Sequence, residues 1–249
     1  KAPGEQLDKT RAALKELEGE LYLMQPDTIL LVSPHAPMNQ ACFSVNFSLE
    51  FICTYEDFGD ATTSLRLHGD IEFISKIRGY ADEHHYTGGC AVNVITHPEL
   101  DYGLAVALYH LTQHLPSVKI VPVSLAQMGI EDHYKFGQML RSVALKSNKR
   151  VAIICSAELG HTLTVDSGHD YHPAGEAFDK AVLAAVKSGD LTQLQSLNLE
   201  LAESAQSVNE FRTLVLLSGT LSNAGIQSQI LSYEVGQGSG LLVAQFSLI

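Results

Sequence analysis

Tryptophan is absent, and cysteine, proline and basic side chains are scarce: the 249 residues hold 4 Cys, 8 Pro and 16 Lys plus Arg. Against 28 acidic residues this leaves a formal net charge of −12. With no basic block along the chain, a general nucleic-acid binder or a polybasic membrane contact is not expected. Long apolar runs are also missing. Runs such as Thr28–Val32 and Thr213–Leu217 reach about five residues, whereas a membrane helix takes about 20. The four cysteines, Cys42, Cys53, Cys90 and Cys155, form no Cys-x-x-Cys pair. A zinc ribbon and a disulfide scaffold are therefore not expected, and a reducing cytoplasm is. A chain of this length buries roughly 70–75% of its unfolded surface, so its core needs no cross-links.

Hydrophobic periodicity sets out the elements. Leu7, Thr10, Leu14, Leu17, Leu21 and Met24 recur at helical steps over residues 5–24. Thr28–Ser33 reads as a buried strand. Ala41–Tyr55 alternates like a pair of strands. Residues 70–84 read as a helix, with Leu67–Gly69 leading into it and Asp70 near its N-cap. Strands are expected at 90–96, 118–123 and 150–156, and helices at 104–114 and 134–147. Residues 162–175 read as an ordered polar loop. Two or three helices follow up to residue 205, then a helix from Asn209 to Leu217 closed by Gly219. Strands at 230–234 and 241–247 are joined by Gly236-Gln-Gly-Ser-Gly240, a hairpin turn rather than a phosphate loop, since neither Lys nor a helix follows. Alternating strands and helices predict an α/β fold: a single domain over 1–249, with a central mixed, mostly parallel sheet covered by helices on both faces. The late hairpin is expected to make that sheet mixed.

Histidine is abundant, with 11 residues. His84, His85, His110, His114 and His133 lie on or beside predicted helices and read as surface or boundary residues; His169 and His172 stay open. His35 and His161 each follow directly on a predicted strand. In open α/β sheets that edge is where ligands bind, so the two can converge, although a His bonded to its own loop is the plainer reading. Glu210 opens the 209–219 segment, where a helix dipole favours a carboxylate on structural grounds alone. As a ligand it would join imidazoles in a facial set that leaves cis positions open on a ferrous ion.

These segments carry a resemblance over nearly the whole chain. They are Pro26-Asp-Thr-Ile-Leu-Leu-Val-Ser-Pro-His-Ala-Pro37, Leu100-Asp-Tyr-Gly103, Ser156-Ala-Glu-Leu-Gly-His161, Tyr171-His-Pro-Ala-Gly-Glu-Ala-Phe-Asp179, the 209–219 segment and Tyr233-Glu-Val-Gly236. In order and spacing the chain resembles the class III extradiol dioxygenases, the family of the catalytic beta subunit of protocatechuate 4,5-dioxygenase, and within it a Memo-related bacterial branch. The resemblance implies non-haem Fe(II), or another divalent metal, held by His35 and Glu210. It implies His161 as the acid/base that takes and returns a catechol proton, with Tyr102 and Glu158 beside it and His97 and Pro37 against substrate. It also implies a small aromatic diol and dioxygen as partners, a role in aromatic compound catabolism, and a homo-oligomer.

The chain departs from the family pattern in three places. Relatives carry a further iron-binding His in a Thr-Pro-His-Pro-Pro-like loop after a first strand; this sequence starts at Lys1, just beyond that point, so that strand is expected to be missing from it. Tyr102 stands where relatives usually have His, and with a reference pKa near ~10 it is a poor base at neutral pH. Glu158 and Gly160 replace the usual Asp and Ser. Two functions stay open: a ring-cleaving oxidoreductase, or a Memo-like metal-binding or non-catalytic interaction protein on the same fold.

Overall fold

In the computed structural model, which describes residues 7–84, 90–165 and 168–249, the centre is β1 (Thr28–Ser33), with all six residues buried. Its alternate side chains serve two cores. Leu30 and Val32 join one cluster, Ile29 and Leu31 the other. A strand buried on both faces reads as an unbroken apolar run, which is how β1 appears in the sequence. It lies parallel to β6 (Lys119–Ser124) on one side and to β7 (Val151–Cys155) on the other. The far edge of β6 is shared. β4 (Asp60–Gly69) pairs with its start in parallel, and β2 (Phe43–Asn46) pairs with its end antiparallel. β5 (Val92–Ile95) then adds to β2 in parallel, and β3 (Glu50–Tyr55) adds to β4 antiparallel. The result is one mixed, mostly parallel sheet of seven strands.

Helices cover both faces. α2 (Ile71–His84) and α4 (Ile130–Lys146) bring Phe73, Ile74, Ile77, Phe136 and Leu140 onto the Leu30/Val32 face. α1 (Asp8–Met24) and α3 (Tyr102–Leu111) cover the Ile29/Leu31 face with Leu21, Leu104, Leu108 and Leu111. α1 begins at Asp8, with Leu7 at its N-cap, and Gln25 ends it in a left-handed conformation at φ 47°. A third cluster joins α5 (Pro173–Ser188), a 3₁₀ segment at Leu191–Ser196, α6 (Leu199–Ser204), α7 (Val208–Thr220) and the hairpin of β8 (Ile226–Gly236) and β9 (Ser239–Leu248). No described helix is long and apolar enough to cross a membrane.

Several sequence expectations change. β2 and β3 do not pair with each other, and Leu67–Gly69 end β4 rather than open a helix. Asp70 does cap α2, accepting the Phe73 N–H at 3.1 Å. The hairpin forms its own two-stranded sheet; the central sheet is mixed because β2 pairs antiparallel with β6 and β3 with β4, so β2, β3 and β5 run against the other four strands. Gly219 is the penultimate residue of α7, so the helix ends one residue beyond it. A Cβ there would stand 2.1 Å from the Tyr134 carbonyl oxygen, so glycine is what lets α7 lie against α4. His133 is fully buried, not a boundary residue. His85 lies outside the described residues.

Candidate active site

Parallel neighbours release their chains at the same edge of a sheet. Val32 is paired with Cys155, so the loop after β1, with His35, and the loop after β7, with His161, leave side by side. The N-terminus of α3 sits between them. Ser33 Oγ donates to Asp101 Oδ1 at 2.8 Å, and Ser156 Oγ donates to the Gly103 carbonyl at 2.7 Å. Asp101 also caps α3 through the Leu104 N–H. A Cβ on Gly103 would lie 2.8 Å from His35 Cδ2, so a larger residue would push α3 off the loop. Thus fixed, Tyr102 lies over His35 with ring centroids 4.2 Å apart and its hydroxyl 2.9 Å from Nδ1.

The other half is built from α7 and the second loop. Ser207 Oγ donates to the Leu159 carbonyl at 2.8 Å, and the His161 N–H donates to the Ala205 carbonyl at 2.9 Å. These bonds bring the first turn of α7 over the loop. His161 Nε2 then faces two carboxylates, Glu210 at 3.6 Å and Glu158 at 3.7 Å, while Nδ1 lies 2.8 Å from Ser239 Oγ. Glu210 is buried. The Glu210 carboxylate is the main cause that lifts the His161 pKa above the ordinary imidazole value; Glu158 and Asp179 add to it, and burial opposes it. Burial raises the Tyr102 pKa first, and the charges of Glu158, Asp101 and Glu210 raise it further. His35 with Tyr102 thus forms one group and His161 with Glu158 and Glu210 another, and the charges of Glu158 and Glu210 act on the Tyr102 phenol.

The remaining expected residues are held by other contacts. His97 exchanges backbone hydrogen bonds with the Asn46 amide, and its Nδ1 is 2.7 Å from the Glu99 carbonyl. Pro37 is exposed. His172 caps α5, accepting the Ala174 N–H, whereas the His169 ring lies 6.5 Å from that of His161. Two contributors were not singled out in the sequence. Ser239 is placed by the hairpin turn, and Asp179 is the last residue of a recognised segment whose role spacing alone does not reveal. Among the described residues, no three His, Cys, Asp or Glu side chains come together as a metal site. Thiolate chemistry is disfavoured, because burial pushes Cys155 up to about 12.

The family profile described as the catalytic LigB subunit of aromatic ring-opening dioxygenase matches residues 2–244. A protein of Clostridium acetobutylicum is 28% identical over 243 residues, 95% of this chain and 52% of its own length, so the chain spans about half of that relative. Among solved structures, an uncharacterized protein from Escherichia coli K12 has a TM-score of 0.67 at 15% identity, covering 94% of this chain and 90% of the other. That likeness shows the fold.

Proposed function

The chain belongs to the family of catalytic LigB subunits of aromatic ring-opening dioxygenases, and from that premise we propose that it opens a catechol-type ring beside a hydroxylated carbon, consuming dioxygen. The observation that carries the reading is His161, with Nε2 turned to Glu158 and Glu210 and Nδ1 on Ser239. In the proposed cycle Nδ1 stays against Ser239 Oγ, and Nε2 takes the proton of a diol hydroxyl and returns it to the product. Glu158 and Glu210 stabilise the imidazolium formed in between. Tyr102 orients the substrate as a hydrogen-bond donor or acceptor, and Pro37 and His97 are proposed contacts at the rim.

His35 and Glu210 are proposed as donors to a divalent cation, Fe(II) being the expected one. With Tyr102 against Nδ1, His35 offers Nε2, a common arrangement for a metal-bound imidazole. When bound, such an ion would hold diol and dioxygen together. The chemistry of His35 and Glu210 suits such an ion, but among the described residues no group of three or more His, Cys, Asp or Glu side chains is arranged to hold one. That same observation favours the second reading, a Memo-like metal-binding or interaction protein.

The test is anaerobic reconstitution of the full-length protein with Fe(II), then addition of catechols and oxygen. A yellow ring-opened product with oxygen uptake is expected. His35→Ala should lower bound metal. His161→Ala should keep it and lose roughly 10²–10⁴-fold in turnover, the usual worth of a positioned acid/base. The reverse pattern refutes the role assignment, and no iron retention or oxygen uptake across several catechols leaves the interaction reading.

A further inference from the structure

Asp179 is a buried carboxylate, 2% exposed, with no cation within salt-bridge distance among the described residues. Leaving such a group unpaired inside a protein is costly, so its surroundings have a purpose to reveal. It extends from α5 to the junction of two other segments. Oδ1 accepts the Gly160 N–H at 2.7 Å, and Oδ2 accepts the Tyr233 hydroxyl at 2.7 Å. The junction is closed by backbone bonds: Leu159 N–H to the Gly240 carbonyl at 2.8 Å and Gly240 N–H to the Gly160 carbonyl at 3.1 Å. Both glycines make way for the carboxylate. A Cβ on Gly160 would stand 2.9 Å from Oδ1, and one on Gly240 would stand 1.9 Å from Oδ2.

Each of those two glycines adjoins a member of the candidate site. Gly160 precedes His161 and Gly240 follows Ser239, the pair whose Nδ1 and Oγ lie 2.8 Å apart. A shift between loop and hairpin would therefore open that contact before it disturbed either fold element. The Gly160 N–H needs an acceptor, whereas the Tyr233 hydroxyl can also accept, so an amide could keep both contacts and only a side chain with no polar atom, as in Asp179→Ala, removes both.

We propose that Asp179 is a positioning residue for His161: by holding Gly160 and Tyr233 it keeps Ser239 Oγ against Nδ1, so that the imidazole presents Nε2 to Glu158 and Glu210. The positioning is a matter of geometry alone; its consequence for turnover rests on the reading of His161 as proton carrier.

The test reads the imidazole directly. Histidine in the full-length protein is ¹⁵N-labelled, His161 is assigned by its loss in His161→Ala, and spectra are taken at alkaline pH, where the ring is neutral. In the wild type one tautomer should dominate and give two well-separated nitrogen signals. In Ser239→Ala and Asp179→Ala, those signals should move toward each other as the second tautomer fills. Tyr233→Phe removes a single donor and should move them the same way by less, which covers the case of Asp179→Ala failing to fold. A folded Asp179→Ala or Tyr233→Phe protein with wild-type His161 signals overturns the proposal. Variants that move the signals but leave ring opening untouched support the positioning and refute the proton-carrier reading.

Discussion

Replacing Asp70 by Asn should cost about 3 kcal/mol, and the structure shows why. Asp70 is 1% exposed. Its oxygens receive Lys149 Nζ at 2.8 and 2.6 Å, together with the Thr28 hydroxyl and the Phe73 N–H. It thereby ties the start of β1, the cap of α2 and the turn before β7. Removing one partner of a buried pair typically costs ~3–5 kcal/mol. Lys149 is 19% exposed and retains Glu72 at 3.3 Å, itself 65% exposed, so the lower end applies. For a chain of this size that is a fall in Tm of roughly 6–12 °C. Urea unfolding at neutral pH should show a lower midpoint with an unchanged slope. Burial alone would raise the Asp70 pKa, but Lys149, Thr28 and the Phe73 N–H outweigh it and hold the group below the ordinary carboxylate value. The stabilisation is therefore complete above the unfolded pKa of ~3.9 and is lost as pH falls through the lower folded value. The gap between wild type and variant should narrow on acidification through that window. Adding Lys149→Met should recover part of the loss. A cost below about 1 kcal/mol at neutral pH, or a gap that does not change with acid, would refute the reasoning.

Two further outcomes follow from packing. Gly219→Ala gains about 1 kcal/mol of helix propensity, but its Cβ would collide with the Tyr134 carbonyl at 2.1 Å, and overpacking costs ~1–3 kcal/mol; chemical denaturation should show a net loss, and a raised midpoint would mean that α4 and α7 do not touch there. Burial pushes the Cys53 thiol up to about 12 and Cys90 up to about 11, as it does Cys155 to about 12. Ellman's reagent on the native protein should therefore reach Cys53 and Cys90, both buried, only on unfolding, whereas Cys42 and Cys155 are half-buried. Fast reaction of three thiols would contradict that burial.

What could be read in advance follows from how locally each feature is determined. β1 matched its run residue for residue, because burial on both faces leaves only apolar side chains between Thr28 and Ser33. β4 was missed: its first half is a polar edge, Asp60–Ser64, with little hydrophobic signal. β2 and β3 were seen as strands but not as strangers, since partner choice is settled by segments far away in the chain. Gly219 looked like a stop signal and is a packing residue, a distinction only a neighbouring helix can make. At the site, His35 and His161 were legible because strand ends announce themselves through Pro and Gly. Asp179 and Ser239 were not, because they act across three segments that meet only after folding.

The turn between β8 and β9 has a consequence for how this site can vary. Gln237 and Gly238 both have positive φ, 51° and 79°, the geometry of a tight two-residue connection that matches the twist of its strands. Gly236 faces Ser239 directly across it. Strand pairing moves only by whole residues, and each step turns every side chain over. Exchanging one amino acid for another along this ribbon can be gradual, but adding or deleting one is a jump: the serine swings to the opposite side and the imidazole loses its rest. Lineages carrying this hairpin would thus be free to drift in spelling there while being held to a fixed count of letters.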